Sequence, residues 1–389
     1  VLRGDASQPI IQLERADLAL EDTSIHAVGT VEKRADGWYV RGQATSEALN
    51  IAKLYKYWPL TMAPDSRHWV TSKLKSGSAP KGVLKLNLTP KDFAAPYFSD
   101  ASVDAVAEAK DITFEYLPGF PLVDKINGLA HFTATTVKVE GSGGSVLQGT
   151  RVQQAVLWCP QLHSPHNPME VTLALSGPAS DAATMLALKH FTFDDALKLD
   201  AKTLRGTVDT HMQLKFNAFS GKPQADPNEI HLEAVDYDIR ASVKDLAQDG
   251  VANNYSVRGM NGEVKASNRE LSCDGSLQLG ASGVHRVKLA QPSAGALTVQ
   301  IASAAQAKEA NTGNDFTLLY RKEGDVPYYR VSGKRLDTNV SLGKSSKNGG
   351  ILANFPAMKL DVNLEQLIIN PVYPITNLVG TLQCSALRC

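Results

Sequence analysis

Cys159, His163 and His166 fall within eight residues, in Cys-Pro-Gln-Leu-His-Ser-Pro-His-Asn-Pro, and soft ligands set that close could grip zinc. No fourth ligand stands nearby, and the prolines mark an exposed loop in which unliganded histidines are ordinary. Gly141-Ser-Gly-Gly-Ser145 is rich in glycine, but a phosphate cradle must open onto a helix N-terminus. Strands are expected on both sides of it, so it reads as a turn. Asp194-Asp195 pairs two carboxylates on a capping turn, which is a solvated helix start rather than an acid–base pair. Arg3-Gly4-Asp5 matches an adhesion tripeptide, and Asn87, Asn254 and Asn339 each open a glycosylation sequon. Both patterns are short enough to arise by chance. A nucleophile elbow, an HExxH helix and the Walker and Rossmann glycines are all missing. The expectation is a protein that is not an enzyme and that holds no metal and no cofactor.

The elements that would position any site are strands. In Gly206-Thr-Val-Asp-Thr-His-Met-Gln-Leu-Lys-Phe216, Val208, Met212, Leu214 and Phe216 share one parity. Thr207, Asp209, His211, Gln213 and Lys215 share the other. A period of two gives a strand with one apolar and one wet face. The same alternation recurs along the chain, unbroken in Met358-Lys-Leu-Asp-Val-Asn-Leu364, where Leu360, Val362 and Leu364 alternate with polar residues. Lys plus Arg and Asp plus Glu both total 40, for a formal net charge of zero. That balance argues against nucleic acid, which selects clustered basic residues. The 29 glycines and few aromatics suit strands and turns. No apolar run is long enough for a helix to span a bilayer. The chain opens on Val1 without a signal-like stretch, so it is expected to be a fragment of a longer protein. The widely spaced Cys159, Cys273, Cys384 and Cys389 match no CxxC pattern and are expected to be buried free thiols.

Helical spacing appears in three places. Ala48, Ile51, Ala52 and Tyr55 predict a helix over 47–58 that Pro59 stops. A second helix is expected from Pro64, with Trp69, Val70 and Leu74 as its stripe and Gly77 as its end. A third covers Asp181–Leu188, with a further turn after Asp194. Strands are expected over 82–88, 112–116, 128–139, 146–158, 171–175, 229–243, 255–258, 262–266 and onward to 378–386. A weak repeat sets Asn127-Gly128, Asn261-Gly262 and Asn377-Leu-Val-Gly380 each after an alternating strand, with the glycines 134 and then 118 residues apart. That irregular spacing excludes a propeller or short solenoid and fits copies of one larger β module. The expected organisation is an N-terminal module over 1–95, a second over 96–205 that ends in the helical interruption, and a C-terminal module over 206–389. Alternation alone leaves two architectures open: apolar faces packed on each other as a sandwich, or an open apolar trough.

Two segments carry a family resemblance. Tyr57-Trp58-Pro59, Pro64-Asp-Ser-Arg67-His-Trp69, Gly77 and Gly82 resemble the "Trp-Pro … Pro-x-x-Arg-x-Trp … Gly" element of large bacterial AsmA-like envelope proteins, the group of YhdP and TamB relatives. Gly177-Pro178, Leu186-Ala-Leu188, Phe193 and Leu204-Arg-Gly206 resemble that group's "Gly-Pro … helix … Gly-x-strand" passage. Phe316–Arg321 and Tyr329–Asp337 are similar to its strand–turn–strand lead into a Leu-Asp pair. The resemblance implies a mainly β fold: an elongated, curved antiparallel sheet forming an apolar groove, with a few short helices. It implies a periplasmic protein anchored to the inner membrane outside this fragment, carrying phospholipid between the two membranes, with other envelope proteins as possible partners. Val208, Met212, Leu214, Phe216, Leu360, Val362 and Leu364 are then the candidate groove-lining residues, in contact with acyl chains. Residues 47–76 and 181–199 are candidate lids that blunt sheet edges. The rival readings are a structural or adhesive β-sandwich of the cell envelope and a carbohydrate-active enzyme on a β scaffold.

Overall fold

A computed structural model describes residues 2–3, 8–58, 60, 64–115, 119–147, 149–164, 168–187, 200–217, 235–251, 255–278, 283–292, 295–303, 313–337, 357–370 and 373–384. The fold is mainly β, as expected, and the chain forms two compact units. Unit 1 comprises Val1–Ser176 and His211–Asp236, and unit 2 comprises Gly177–Thr210 and Tyr237–Cys389. Among the described residues no helix is long and apolar enough to cross a membrane.

In unit 1, β1 (Leu2–Arg3), β2 (Ile10–Ala19), β3 (Ser24–Arg34), β4 (Gly37–Asn50), β5 (Leu74–Leu88), β6 (Val103–Phe114), β7 (Val123–Thr133) and β8 (Val137–Ser142) each pair antiparallel with the next. The short β9 (Ser145–Val146) bridges β7 and β10 (Thr150–Cys159), and β10 pairs with both β8 and β11 (Pro168–Pro178). Asp36-Gly37 turns β3 into β4, with Gly37 at φ +136°.

The helices are shorter than their spacing predicts. β4 runs on to Asn50, so only Leu54–Tyr57 (α1) of the expected 47–58 helix is α-helical. Ala48 adopts φ +55° inside the strand, which a helix does not permit. α2 (Pro64–Lys73) exists, but Leu74 already opens β5 and Gly77 lies inside that strand at φ +117°. The Arg67 guanidinium donates to the carbonyls of Tyr55 (2.6 Å) and Trp58 (3.0 Å). It thereby satisfies carbonyls that the end of α1 leaves open. The sequence missed α3 (Pro90–Ala94), whose Thr89–Asp92 capping box is legible in retrospect.

α4 (Ala179–Leu186) matches the expected third helix. β12 (Arg205–Asn217) follows, and the division between the units falls within it. The further turn after Asp194 lies outside the described residues. In unit 2, β13 (Asp236–Val251), β14 (Tyr255–Ser267), β15 (Glu270–Gln278), β16 (Val284–Pro292), β17 (Leu297–Ser303), β18 (Asp315–Glu323) and β19 (Val326–Asp337) form an antiparallel series. The expected break between 255–258 and 262–266 is absent. Gly259 (φ +60°) carries β14 through an irregularity instead. Among the described residues of unit 2, antiparallel pairing fails once: β19 pairs parallel with β20 (Met358–Asn370), which pairs antiparallel with β21 (Tyr373–Cys384). A parallel neighbour needs a crossover of a dozen or more residues, and residues 338–357 supply that length.

The repeat is real in its first two copies. Asp111 (φ +52°) and Asp245 (φ +50°) are bulge residues at the 134-residue offset. Each donates its backbone N–H to an asparagine Oδ1, Asn127 at 3.0 Å and Asn261 at 3.1 Å. Each asparagine Nδ2 in turn donates to the carbonyl two residues back, that of Lys125 or Gly259. The following glycines face glycines across the ladder, Gly128 against Gly141 and Gly262 against Gly275. A Cβ on Gly128 would lie 2.0 Å from the Glu140 carbonyl oxygen, and one on Gly262 would lie 2.7 Å from that of Asp274. Glycine permits this close approach, which no other residue could share. In the third copy Gly380 faces Val362, and a Cβ there would meet nothing within 4 Å.

Two cysteine expectations hold and one does not. Cys159 and Cys273 are free and buried, but Cys384 is disulfide-bonded. Cys389 lies outside the described residues.

Candidate functional site

Strand register converts the local alternation into a continuous surface. In unit 1 one row crosses nine strands: Leu18, Ile25, Ser46, Gly82, Ala107, Ala130, Val139, Leu157 and Val171, each the ladder partner of the last. Ser46 is its one polar member. A parallel row runs beside it from Ala16 through Ala44, Leu84, Ala105 and Phe132 to Cys159. Unit 2 repeats the arrangement. Ala241, Val264, Cys273, Leu289, Val299, Leu318, Val331, Val362 and Gly380 form one row over nine strands. Val243, Val287, Ile301, Phe316 and Leu364 belong to the row beside it. These rows run across the strands, in the hydrogen-bonding direction, and the paired glycines lie on this same face.

The opposite face is wet and laced with cross-strand pairs. His26 and Asp17 stand 2.6 Å apart, His131 and Asp104 2.8 Å, and Lys215 and Glu170 3.1 Å. In unit 2, Lys244 meets Asp209 at 2.9 Å and Arg286 meets Asp274 at 2.9 Å. The side-chain hydrogen bond from His131 holds the Asp104 carboxyl below its ordinary range, and that from Arg286 does so for Asp274. Exposed pairs of this kind contribute little stability, about 0–1 kcal/mol each. They do fix which parity of each strand faces water.

All the candidate residues lie on the apolar parity. Val208, Met212, Leu214, Phe216 and Leu364 are buried, and Leu360 and Val362 are half-buried. The structure separates them into different surroundings. Val208 packs with Ala179 and Ala183 of α4, and with Leu204, Ala241 and Val243. α4 therefore lies over the start of both unit 2 rows, rather than along a sheet edge. Leu360, Val362 and Leu364 stand in unit 2 on β20, the eighth strand of its row, with Leu364 only 1% exposed. Met212, Leu214 and Phe216 belong to unit 1.

Sequence reasoning missed most of the surface. Ala105, Ala130 and Gly82 are too small to mark an apolar face locally, and only the register aligns them with Leu84, Phe132 and Leu157. It also missed a set of polar groups on the inner parity of unit 2. His285 and Asn314 are both 0% exposed, and His285 Nε2 accepts the Asn314 backbone N–H at 3.2 Å. His285 Nδ1 is 3.0 Å from the Gly283 carbonyl, which fixes its proton there. Burial pushes the His285 pKa down, so the ring is neutral near pH 7.

Among the described residues no three His, Cys, Asp or Glu side chains are placed to share a metal ion. Of the loop considered for zinc, Cys159 is buried, with its thiol pKa raised by desolvation, and His163 stacks on Tyr97 at 3.9 Å between ring centroids. His166 lies outside the described residues. Asp92 is the most strongly shifted carboxyl. Its hydrogen bonds from Ser102 and Thr89 push it far below the carboxylate range, and they cap α3 rather than form a reactive centre.

A family model described as YhdP protein matches residues 6–239, more than half of the chain. No curated protein and no solved structure matches it.

Proposed function

Because the chain belongs to the YhdP family of AsmA-like bacterial envelope proteins, we propose that it is a non-enzymatic lipid-binding segment whose apolar rows form a groove for phospholipid acyl chains in transit between the inner and outer membranes. The observation that carries this reading is one row across nine strands in each unit, apolar throughout but for Ser46 in unit 1. At about 4.8 Å per strand, each row runs for roughly 38 Å. That length holds an extended acyl chain with room to slide. Binding of this sort needs no directional chemistry: each methylene taken from water contributes about 0.8 kcal/mol wherever it lies. A chain can then move along the row without crossing a specific, tight site. The half-buried Leu360 and Val362 are the proposed contacts from the sequence. Val208, Met212, Leu214, Phe216 and Leu364 are already buried, Val208 beneath α4, so their contact with lipid requires their cover to move.

The periplasm, at the inner membrane, is the proposed location. The disulfide at Cys384 supports an oxidising compartment. The test is organic extraction of the purified chain followed by mass spectrometry, with photo-crosslinkers at Leu84 and Phe132 on the apolar face and at Lys85 and His131 on the wet face. Phospholipid adducts confined to the apolar positions are the expected outcome. An absence of bound lipid together with no adduct from either face would sink the proposal in favour of a structural β-protein of the envelope.

A further inference from the structure

On the inner parity of unit 2, the apolar rows end at a polar one. Beyond Val287, Ile301, Phe316 and Leu364 the ladder places His285 opposite Ser303 and Arg335 opposite Gln366. Their neighbours Arg286, Lys334 and Glu365 are exposed, whereas His285, Ser303, Arg335 and Gln366 are not, so these four point to the apolar side. Asn314 joins them, held by His285 through its backbone and accepting the Asp337 N–H on Oδ1 at 2.6 Å. Arg335 reaches Gln366 Oε1 and Asp337 Oδ2, each at 3.3 Å.

The cluster is incomplete as a hydrogen-bonding network. Asn314 Nδ2 and Arg335 Nε are buried donors with no acceptor. A buried donor without a partner is costly, and such groups are normally satisfied by protein, water or ligand. The Asp92 cluster of unit 1 shows the contrast: there Thr89, Ser99 and Ser102 surround the carboxylate and saturate it. Both missing partners in unit 2 are acceptors. The Arg335 side chain keeps 20% of its surface exposed, so the cluster is not sealed. A guanidinium Nε and an amide Nδ2 that both lack an acceptor among the described residues, at the margin of an apolar face, match a molecule with phosphate-type oxygens at one end and hydrocarbon at the other.

We infer that His285, Asn314, Arg335 and Gln366 form a headgroup ledge, at which Asn314 Nδ2 and Arg335 Nε receive phosphodiester oxygens of a phospholipid whose acyl chains lie on the adjoining apolar rows. His285 is a positioning residue, orienting Asn314. This rests on the groove reading above and adds to it a fixed place and orientation for the head.

The test compares the full chain with Arg335→Gln and Arg335→Lys variants, loaded from vesicles of phosphatidylethanolamine and phosphatidylglycerol, from dispersed diacylglycerol, or exposed to inorganic phosphate alone. Losing the charged Nε donor costs about tenfold in phospholipid retention in Arg335→Gln and less in Arg335→Lys, which keeps a charged donor. Both variants melt lower because Asp337 loses the Arg335 guanidinium, and below their melting points diacylglycerol retention stays at the wild-type level. Unchanged phospholipid retention in the variants overturns the ledge. So does an equal loss for diacylglycerol, which has no phosphate, or binding of inorganic phosphate as strong as that of phospholipid. If the wild-type chain retains neither phospholipid nor diacylglycerol, the groove reading fails as well. Retention of both lipids with no difference among the variants defeats the ledge alone.

Discussion

Leu18 and Val171 stand at opposite ends of one apolar row in unit 1, yet Leu18 is 54% exposed and Val171 only 7%. The neighbours follow suit. Ile11 and Leu13 on β2 are exposed, whereas Met169 and Leu173 on β11 are buried. The same kind of side chain on the same face therefore meets water at one end of the row and protein at the other. At the β11 end, burial contributes to stability. At the β2 end, Ile11, Leu13 and Leu18 stay exposed, and this is the part of the row that the proposed lipid would reach first.

Charge substitution separates the two ends. Val171→Asp buries an unpaired carboxylate and is expected to cost about 3–5 kcal/mol in urea unfolding. Leu18→Asp should stay within about 0.5 kcal/mol of wild type while reducing lipid retention. Equal destabilisation by the two would show that both ends are core, and the comparison would collapse.

The tightening between the ends is expected to depend on the glycine pairs. Gly128→Ala places a Cβ against the Glu140 carbonyl and should cost about 2–4 kcal/mol. Gly380→Ala, with open space around it, should be nearly neutral. Similar melting temperatures for the two variants would remove the glycine pairs from the explanation.

Polar clusters sharpen the comparison at smaller scale. Asp92→Ala strips charged hydrogen bonds from Thr89, Ser99 and Ser102, and should lower stability by about 2 kcal/mol. The wild-type Asp92 carboxyl has a folded pKa below its unfolded value. Its contribution is thus present above the ordinary carboxylate range and lost as the pH falls through and below it. His285 works in the opposite chemical sense but the same pH direction. Its folded pKa is depressed, so the unfolded state takes up the proton first, and stability declines as the pH falls below about 6.5. A shallow loss of stability between pH 7 and 5, absent in His285→Asn, is the expected result in thermal melts. A pH-independent melting curve over that window would contradict the neutral buried ring.

Much of the fold was legible because a strand reports its two faces every second residue. Met358–Leu364 of β20 alternates without a break and β12 does so except at Thr210, and the apolar parity of these stretches lies on the apolar face of the structure. Local signals misled where backbone conformation overrode spacing. Ala48, Ile51 and Ala52 fit a helical stripe, yet β4 carries Ala48 at positive φ and gives way only after Asn50. Gly77 and Gly259 read as punctuation, but both are strand residues whose positive φ lets the ladder bend. Cys384 reads as a small apolar residue, because a disulfide depends on which thiol it meets in space.

The sequence by itself determined that the chain is a series of two-faced strands and that a strand–glycine pattern recurs at a 134-residue offset. Those properties live in patterns of neighbouring residues, where side-chain direction follows from backbone period alone. Tertiary structure decided the rest. Only register, set by pairing between strands distant in sequence, joins Ser46, Gly82 and Ala107 into one row with Leu18 and Val171. Only packing makes α4 the cover of Val208, leaves Leu18 open, and brings His285, Asn314 and Arg335 to one margin. A residue's parity is local, but its neighbour across the ladder is not.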